Sequence, residues 1–176
     1  MERTKSVWYA EAWAGAGANA AHLNFAIGLK NSPLEQAFLM AMAIPRPGVI
    51  PFLTVLQPNW PVKPFTLFIN KADFRSERHS QLTWGPAQAG IAEGILMAVQ
   101  RRMIPPEQVD DYLAIATVWV DWNADSEEEI YQNNRDAALH AVERAFASTP
   151  AIDELLARIG HAQNPFMKHA QGDAKQ

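Results

Sequence analysis

The stretch His22-Leu23-Asn24-Phe25-Ala26-Ile27-Gly28 decides how this chain folds. Large apolar residues alternate with polar or small ones at a period of two. Leu23, Phe25 and Ile27 face one side of a strand, and His22, Asn24 and Ala26 the other. Just upstream, Gly15-Ala16-Gly17-Ala18-Asn19-Ala20 mimics the G-x-G-x-x-A turn of dinucleotide-binding domains. That turn works only when a helix follows, because the helix N-terminus holds the pyrophosphate. A strand follows here, and no acid stands at a strand end about 20 residues further on. The glycines therefore read as a flexible turn between two strands.

Working outward, residues 6–13 form an aromatic-rich strand before that turn. Ser32 opens a helix with Pro33 at its first position and Glu35 completing a capping box. Phe38, Leu39 and Met42 form its stripe, which ends near Pro45. Six prolines between Pro45 and Pro64 forbid one long helix there, because proline lacks a backbone donor. Strands are expected at 52–57 and 65–71, with a turn around Asn59. Pro86 opens a helix over 86–101 with Ile91, Ile95, Leu96 and Val99 on its core face. A strand at 112–121 and a Ser126-capped helix to about Ala147 follow, then a short helix after Pro150. The order β-β-α-β-β-α-β-α-α implies an α/β fold of the two-layer α+β kind, a mixed β-sheet packed with helices. One domain is expected over residues 1–170, with a disordered tail at 171–176.

Composition narrows the function. The chain has 176 residues, 48% hydrophobic and 19% charged, which suits one domain with a real core. It has no cysteine, so disulfides, thiolate nucleophiles and sulfur-ligated zinc are excluded. Its net charge of −4 offers no footprint for nucleic acid. No apolar run suits a membrane span, and the start lacks a signal-peptide core, so a cytoplasmic protein without a membrane partner is expected.

Histidine titrates near neutrality, which makes His22 the best general acid or base. Asn24, two residues on, shares its face. A lone strand histidine is also an ordinary structural residue. His79 reads as part of a charged loop with Arg75, Glu77 and Arg78. No histidine pair has metal-ligand spacing, so no metal site is expected. Lys71 ends a strand with Asp73 two residues on, either as a plain surface ion pair or as part of a site. Gln88 lies in the first turn of its helix, near free backbone N–H groups. Trp60, in the proline turn, is the best candidate for an exposed stacking surface.

Several strings carry more than spacing: Ala21-His22-Leu23-Asn24, Pro58-Asn59-Trp60-Pro61-Val62-Lys63-Pro64, Asn70-Lys71, Gly85-Pro86-Ala87-Gln88 and Asp110-Asp111. With Ile130, Asn134 and Pro165-Phe166, they closely resemble the formaldehyde-activating enzyme family over about residues 7–168. The resemblance implies the ribosomal-protein-S-five domain-two-like fold and a homo-oligomer, a ring of five. It implies a lyase that condenses formaldehyde with tetrahydromethanopterin, its co-substrate, to methylene-tetrahydromethanopterin and water. It places the proton-donating histidine at His22 and the pterin contacts at Asn24, Leu53, Lys71, Asp73 and Gln88. Where the family has an aspartate this chain has Asn24, and where the family has a threonine it has Asp73. The paired exchange suggests that Asp73 restores the lost charge near His22. It also leaves two alternatives: a protein that binds a pterin or a formaldehyde adduct without turnover, and a lyase for another amine or aldehyde.

Overall fold

Residues 5–44 and 46–163 are described by a computed structural model; the expected tail lies outside them. Strands β1 (Val7–Ala14) and β2 (Ala21–Leu29) pair antiparallel, with Val7 opposite Gly28 and Ala14 opposite Ala21. Helix α1 (Pro33–Ala43) follows, and the Ser32 hydroxyl accepts from the Leu34 N–H as its cap. Short strands β3 (Phe52–Leu53), β4 (Val55–Gln57) and β5 (Trp60–Pro61) lead to β6 (Phe65–Asn70). Helices α2 (Glu77–Leu82) and α3 (Gln88–Gln100) precede β7 (Tyr112–Trp119), α4 (Glu127–Ala147) and α5 (Ile152–Leu156). The main sheet has five strands in the order β1-β2-β7-β6-β3, with β6 and β7 parallel and the other neighbours antiparallel. This is the mixed-sheet, two-layer α/β arrangement expected from the sequence.

The alternation of β2 decides which face is buried. Leu23, Phe25 and Ile27 are at most 3% exposed and pack with Ile91, Ile95, Ala137 and Val142 of α3 and α4. Burying such side chains contributes about 1.5–3 kcal/mol each. Gly90 and Gly94 let the two helices approach closely: a Cβ on Gly94 would lie 2.4 Å from the Arg135 carbonyl oxygen. On the opposite face α1 covers only one end of the sheet, through Phe38 against Leu67 and Leu113. Among the described residues, no helix lies over the other end of that face.

Four local expectations need correction. The helix at 86–101 is the second half of a longer helical run that starts at Ser76, whose hydroxyl accepts from the His79 N–H. Pro86 lies inside a wide π-type turn, Thr83–Ala87, that joins α2 to α3. Such a turn accommodates a residue without an N–H that a regular α-helix would reject. The strand expected at 52–57 breaks at Thr54, which is fully buried. Its N–H donates to the Thr66 carbonyl and its own carbonyl accepts from the Val62 N–H, so the chain leaves the sheet there to form the β4–β5 hairpin. The stripe of α1 is narrower than expected: Phe38 is buried, while Leu39 and Met42 are 58% and 45% exposed. The segment Arg75–His79 is not a loop around an exposed histidine. His79 is 2% exposed, and its Nε2 bonds the Val120 carbonyl at 3.0 Å.

The glycine turn is fastened. It holds a single 3-10 turn, Gly17–Asn19, with strand on both sides, so the dinucleotide mimicry has no helix to serve it. Asn19 Nδ2 donates to Asp125 Oδ1 and Glu129 Oε2, and its Oδ1 accepts from the N–H groups of Asp125 and Ser126. Asn133 Nδ2 adds a bond to the Asn19 carbonyl. The turn is thus tied to the start of α4.

Candidate functional site

Strand register assembles the open end of the sheet. His22 lies opposite Trp13 on one side and Trp119 on the other. The Lys71 N–H donates to the Val118 carbonyl at 2.8 Å, which continues the β6–β7 pairing one residue past Asn70 and sets Lys71 level with Trp119. The next row on the same face holds Glu11, Asn24, Thr117 and Ile69. Residues two apart share a face, so His22, Asn24 and Lys71 look out together.

Within this group Glu11 Oε1 stands 3.2 Å from His22 Nε2. The imidazole is 27% exposed and the carboxylate 55%. The Trp13 ring lies against the imidazole, with centroids 5.6 Å apart, and its indole N–H donates to the Gly15 carbonyl. Partial burial pushes the His22 imidazole below its ordinary value, and the Lys71 ammonium pushes the same way. The charge and hydrogen bond of Glu11 oppose both. Burial also lowers Lys71 against the pull of Glu11. The three groups therefore form one electrostatic unit: a carboxylate serving two cations whose charged forms are both disfavoured. An imidazole in that setting releases its proton more readily than a free one while remaining open to solvent.

The remaining expected residues lie elsewhere. Asp73 does not supply charge to His22. Its Oδ1 lies 2.5 Å from where a Gly48 Cβ would stand, and its carbonyl accepts from the Trp122 indole. The negative charge beside His22 comes from Glu11 instead, across the β1–β2 hairpin. Gln88 is not near free helical N–H groups, because α2 and the π turn precede it. It is 6% exposed in the helical layer, and its Nε2 donates to the Val55 carbonyl at 2.8 Å. Leu53 packs at the α1 end, beside Phe38 and Leu67. Trp60 is 62% exposed in the β4–β5 hairpin, as expected of a stacking surface.

Two features of the site were missed. Glu11 left a faint signal, as the single acid in an aromatic strand, but its partner depends on the register across a loop of unknown shape. Asn70 braces the strand end that presents Lys71: Nδ2 donates to the carbonyls of Gly48 and Ala72, and Oδ1 accepts from the Ile50 N–H. Between α1 and residues 46–51 lies a cavity of about 410 Å³. Ile69, two residues before Lys71, forms part of its wall. Among the described residues, no group of three or more His, Asp or Glu side chains is placed to hold a metal ion. No described helix is long and apolar enough to cross a membrane.

A mixed sheet backed by helices on one face thus carries a histidine, a lysine and a carboxylate together on the open end of the other. The family described as formaldehyde-activating enzyme (Fae) matches residues 9–167, and the chain belongs to it. The chain is 36% identical over 156 residues to a 5,6,7,8-tetrahydromethanopterin hydro-lyase of Methanosarcina barkeri, covering 89% of this chain and 88% of that protein. It is 35% identical over 157 residues to a bifunctional enzyme Fae/Hps of Archaeoglobus fulgidus, and 34% identical to one of Methanosphaera stadtmanae. It spans only 40% and 39% of those two proteins. Family membership supports a lyase-type role in formaldehyde-linked one-carbon metabolism.

Proposed function

We propose that this protein is a carbon–nitrogen condensing lyase that joins formaldehyde to tetrahydromethanopterin, with His22 as the general acid. The observation that carries the reading is His22 itself: an accessible imidazole, ion-paired to Glu11 and facing outward beside Lys71. The relative named as a tetrahydromethanopterin hydro-lyase, matched over nearly its whole length, supports the substrate pair.

One pterin nitrogen adds to the formaldehyde carbon and gives a carbinolamine. Hydroxide leaves poorly, so the His22 imidazolium protonates it and water departs. The second pterin nitrogen attacks the resulting iminium carbon, loses its proton and closes the ring. The sum is formaldehyde plus tetrahydromethanopterin to methylene-tetrahydromethanopterin plus water. Holding the two nitrogens and the carbon together supplies much of the acceleration, and the positioned acid contributes about 10²–10⁴-fold.

Asn24 and Lys71 contact the pterin from the same face as His22. Leu53 lies on that face but at its far, α1-covered end, and Asp73 and Gln88 stand away from it. In this reading they reach the pterin from a neighbouring copy in a homo-oligomer, a ring of five by family resemblance. Asn24 also favours a second reading, binding of a pterin or its formaldehyde adduct without turnover, because it lacks the charge an aspartate would bring.

The test follows formation of the methylene product spectroscopically from formaldehyde and tetrahydromethanopterin, against the uncatalysed rate. The wild-type chain should exceed that rate, and His22→Ala should lose about 10²-fold or more while still binding the pterin. A wild-type rate equal to background, with the pterin still bound, selects the binding reading.

A further inference from the structure

The carboxylate of Glu11 meets only one edge of the imidazole. Nε2 lies 3.2 Å from Glu11 Oε1 as an ion pair, whereas no described residue's carboxylate or carbonyl is within ion-pair or hydrogen-bond reach of Nδ1. A carboxylate on one ring nitrogen fixes the tautomer, so that the other nitrogen gains and loses the proton. The hairpin register makes this contact specific. Glu11 lies directly opposite Asn24 and diagonally from His22. The same register accounts for the amide at position 24, because an aspartate there would set two like charges directly across the strand pair.

We propose that Glu11 is the positioning residue of this site: its carboxylate holds the Nε2–H edge of His22, fixes the tautomer, and leaves Nδ1 as the atom that hands over the proton. The inference rests on the reading of His22 as the general acid. It assigns to the β1 strand a duty that neither Asn24 nor Asp73 performs. The charged groups facing the ring are Glu11 from β1 and Lys71 from the end of β6. β7 presents Trp119 and Thr117, which carry no charge. Glu11 therefore stands alone against burial and Lys71, both of which drive the proton off the ring.

The decisive experiment is an NMR titration of the His22 ring in the full chain without substrate, beside the pH profile of kcat/KM for product formation. Glu11→Gln keeps the length and polarity but removes the charge. It should lower the His22 midpoint by about half a pH unit. The alkaline fall in kcat/KM should move down by a similar amount, because a general acid works only while protonated. Glu11→Asp, which keeps the charge on a shorter arm, should give a midpoint between the two and keep the Nε2–H tautomer. In Glu11→Gln the tautomer population, read from the ring nitrogen shifts, should become mixed. An unmoved midpoint and an unchanged tautomer in a folded Glu11→Gln chain overturn the assignment. Should that variant not fold, a Glu11→Asp ring showing the Nδ1–H tautomer overturns it equally. A shifted midpoint in a chain with no activity keeps the Glu11–His22 assignment and removes the lyase reading, so the two failures are distinguishable.

Discussion

The two faces of the central sheet are built from the same strands and answer to different demands. Toward α3 and α4, side chains such as Leu23, Phe68, Ile91 and Ile95 are completely buried, and two glycines let the helix backbones touch. At the open end of the other face, strand neighbours two residues apart carry charge and remain wet. The difference teaches where each kind of substitution should be felt. The covered face governs whether the protein is folded, whereas the open face carries the proposed site and is where its substitutions should be felt.

Phe68→Ala attacks the covered face most directly. It removes a fully buried ring that stacks on Phe52, with centroids 5.1 Å apart. A loss of about 3–5 kcal/mol is expected in chemical denaturation. A loss below about 1 kcal/mol would mean that this face is looser than it looks. Gly94→Ala comes next, because its Cβ would lie 2.6 Å from the Ala138 Cβ as well as 2.4 Å from the Arg135 oxygen. Forcing the helices apart should cost about 1–3 kcal/mol and lower the melting temperature by about 2–10 °C.

On the open face, Asn24→Asp should cost no more than about 1 kcal/mol, from repulsion across the strand pair with Glu11. The same substitution should raise the His22 midpoint, which an NMR titration reads, because it sets a second carboxylate beside the ring. Strong unfolding by this variant would erase the contrast between the faces. The smallest effect concerns pH. His22 in the folded chain lies below its ordinary value, so the unfolded chain binds that proton more readily. The stability tied to it is present above the ordinary histidine range, near pH 6.5, and is lost as pH falls through the lower folded-state value. The contribution is under about 1 kcal/mol. His22→Gln should flatten that part of a stability-against-pH curve measured with and without the substitution.

The same contrast explains what the sequence disclosed. Strict alternation exposed β2 and its two faces, because burial on one side leaves a period-two trace. Ser32 and Ser126 announced their helices because a cap is a local bond; Ser126 accepts from the expected Glu129 N–H, whereas Ser32 accepts from Leu34 and the Glu35 carboxylate bonds the Asn31 N–H instead of closing a capping box. The partners of His22 were not local. Which β1 residue meets the ring depends on the register across Gly15–Ala20, and the glycines permit more than one. Asp73 was a reasonable substitute on charge alone, but the chain turns away from the sheet after Lys71 and carries it toward Gly48. Gln88 was misplaced for a similar reason. Pro86 is a common first residue of a helix, and nothing nearby marks it as the middle of a wide turn.

The clasp of Asn19 on α4 has a consequence for motion. A hairpin turn carrying two glycines, Gly15 and Gly17, would ordinarily breathe faster than the paired strands beside it. Here its tip cannot open without also fraying the first turn of a 21-residue helix. Amide hydrogens at the hairpin tip and at the start of α4 should then exchange with deuterium as a single slow set, and Asn19→Ala should release both together.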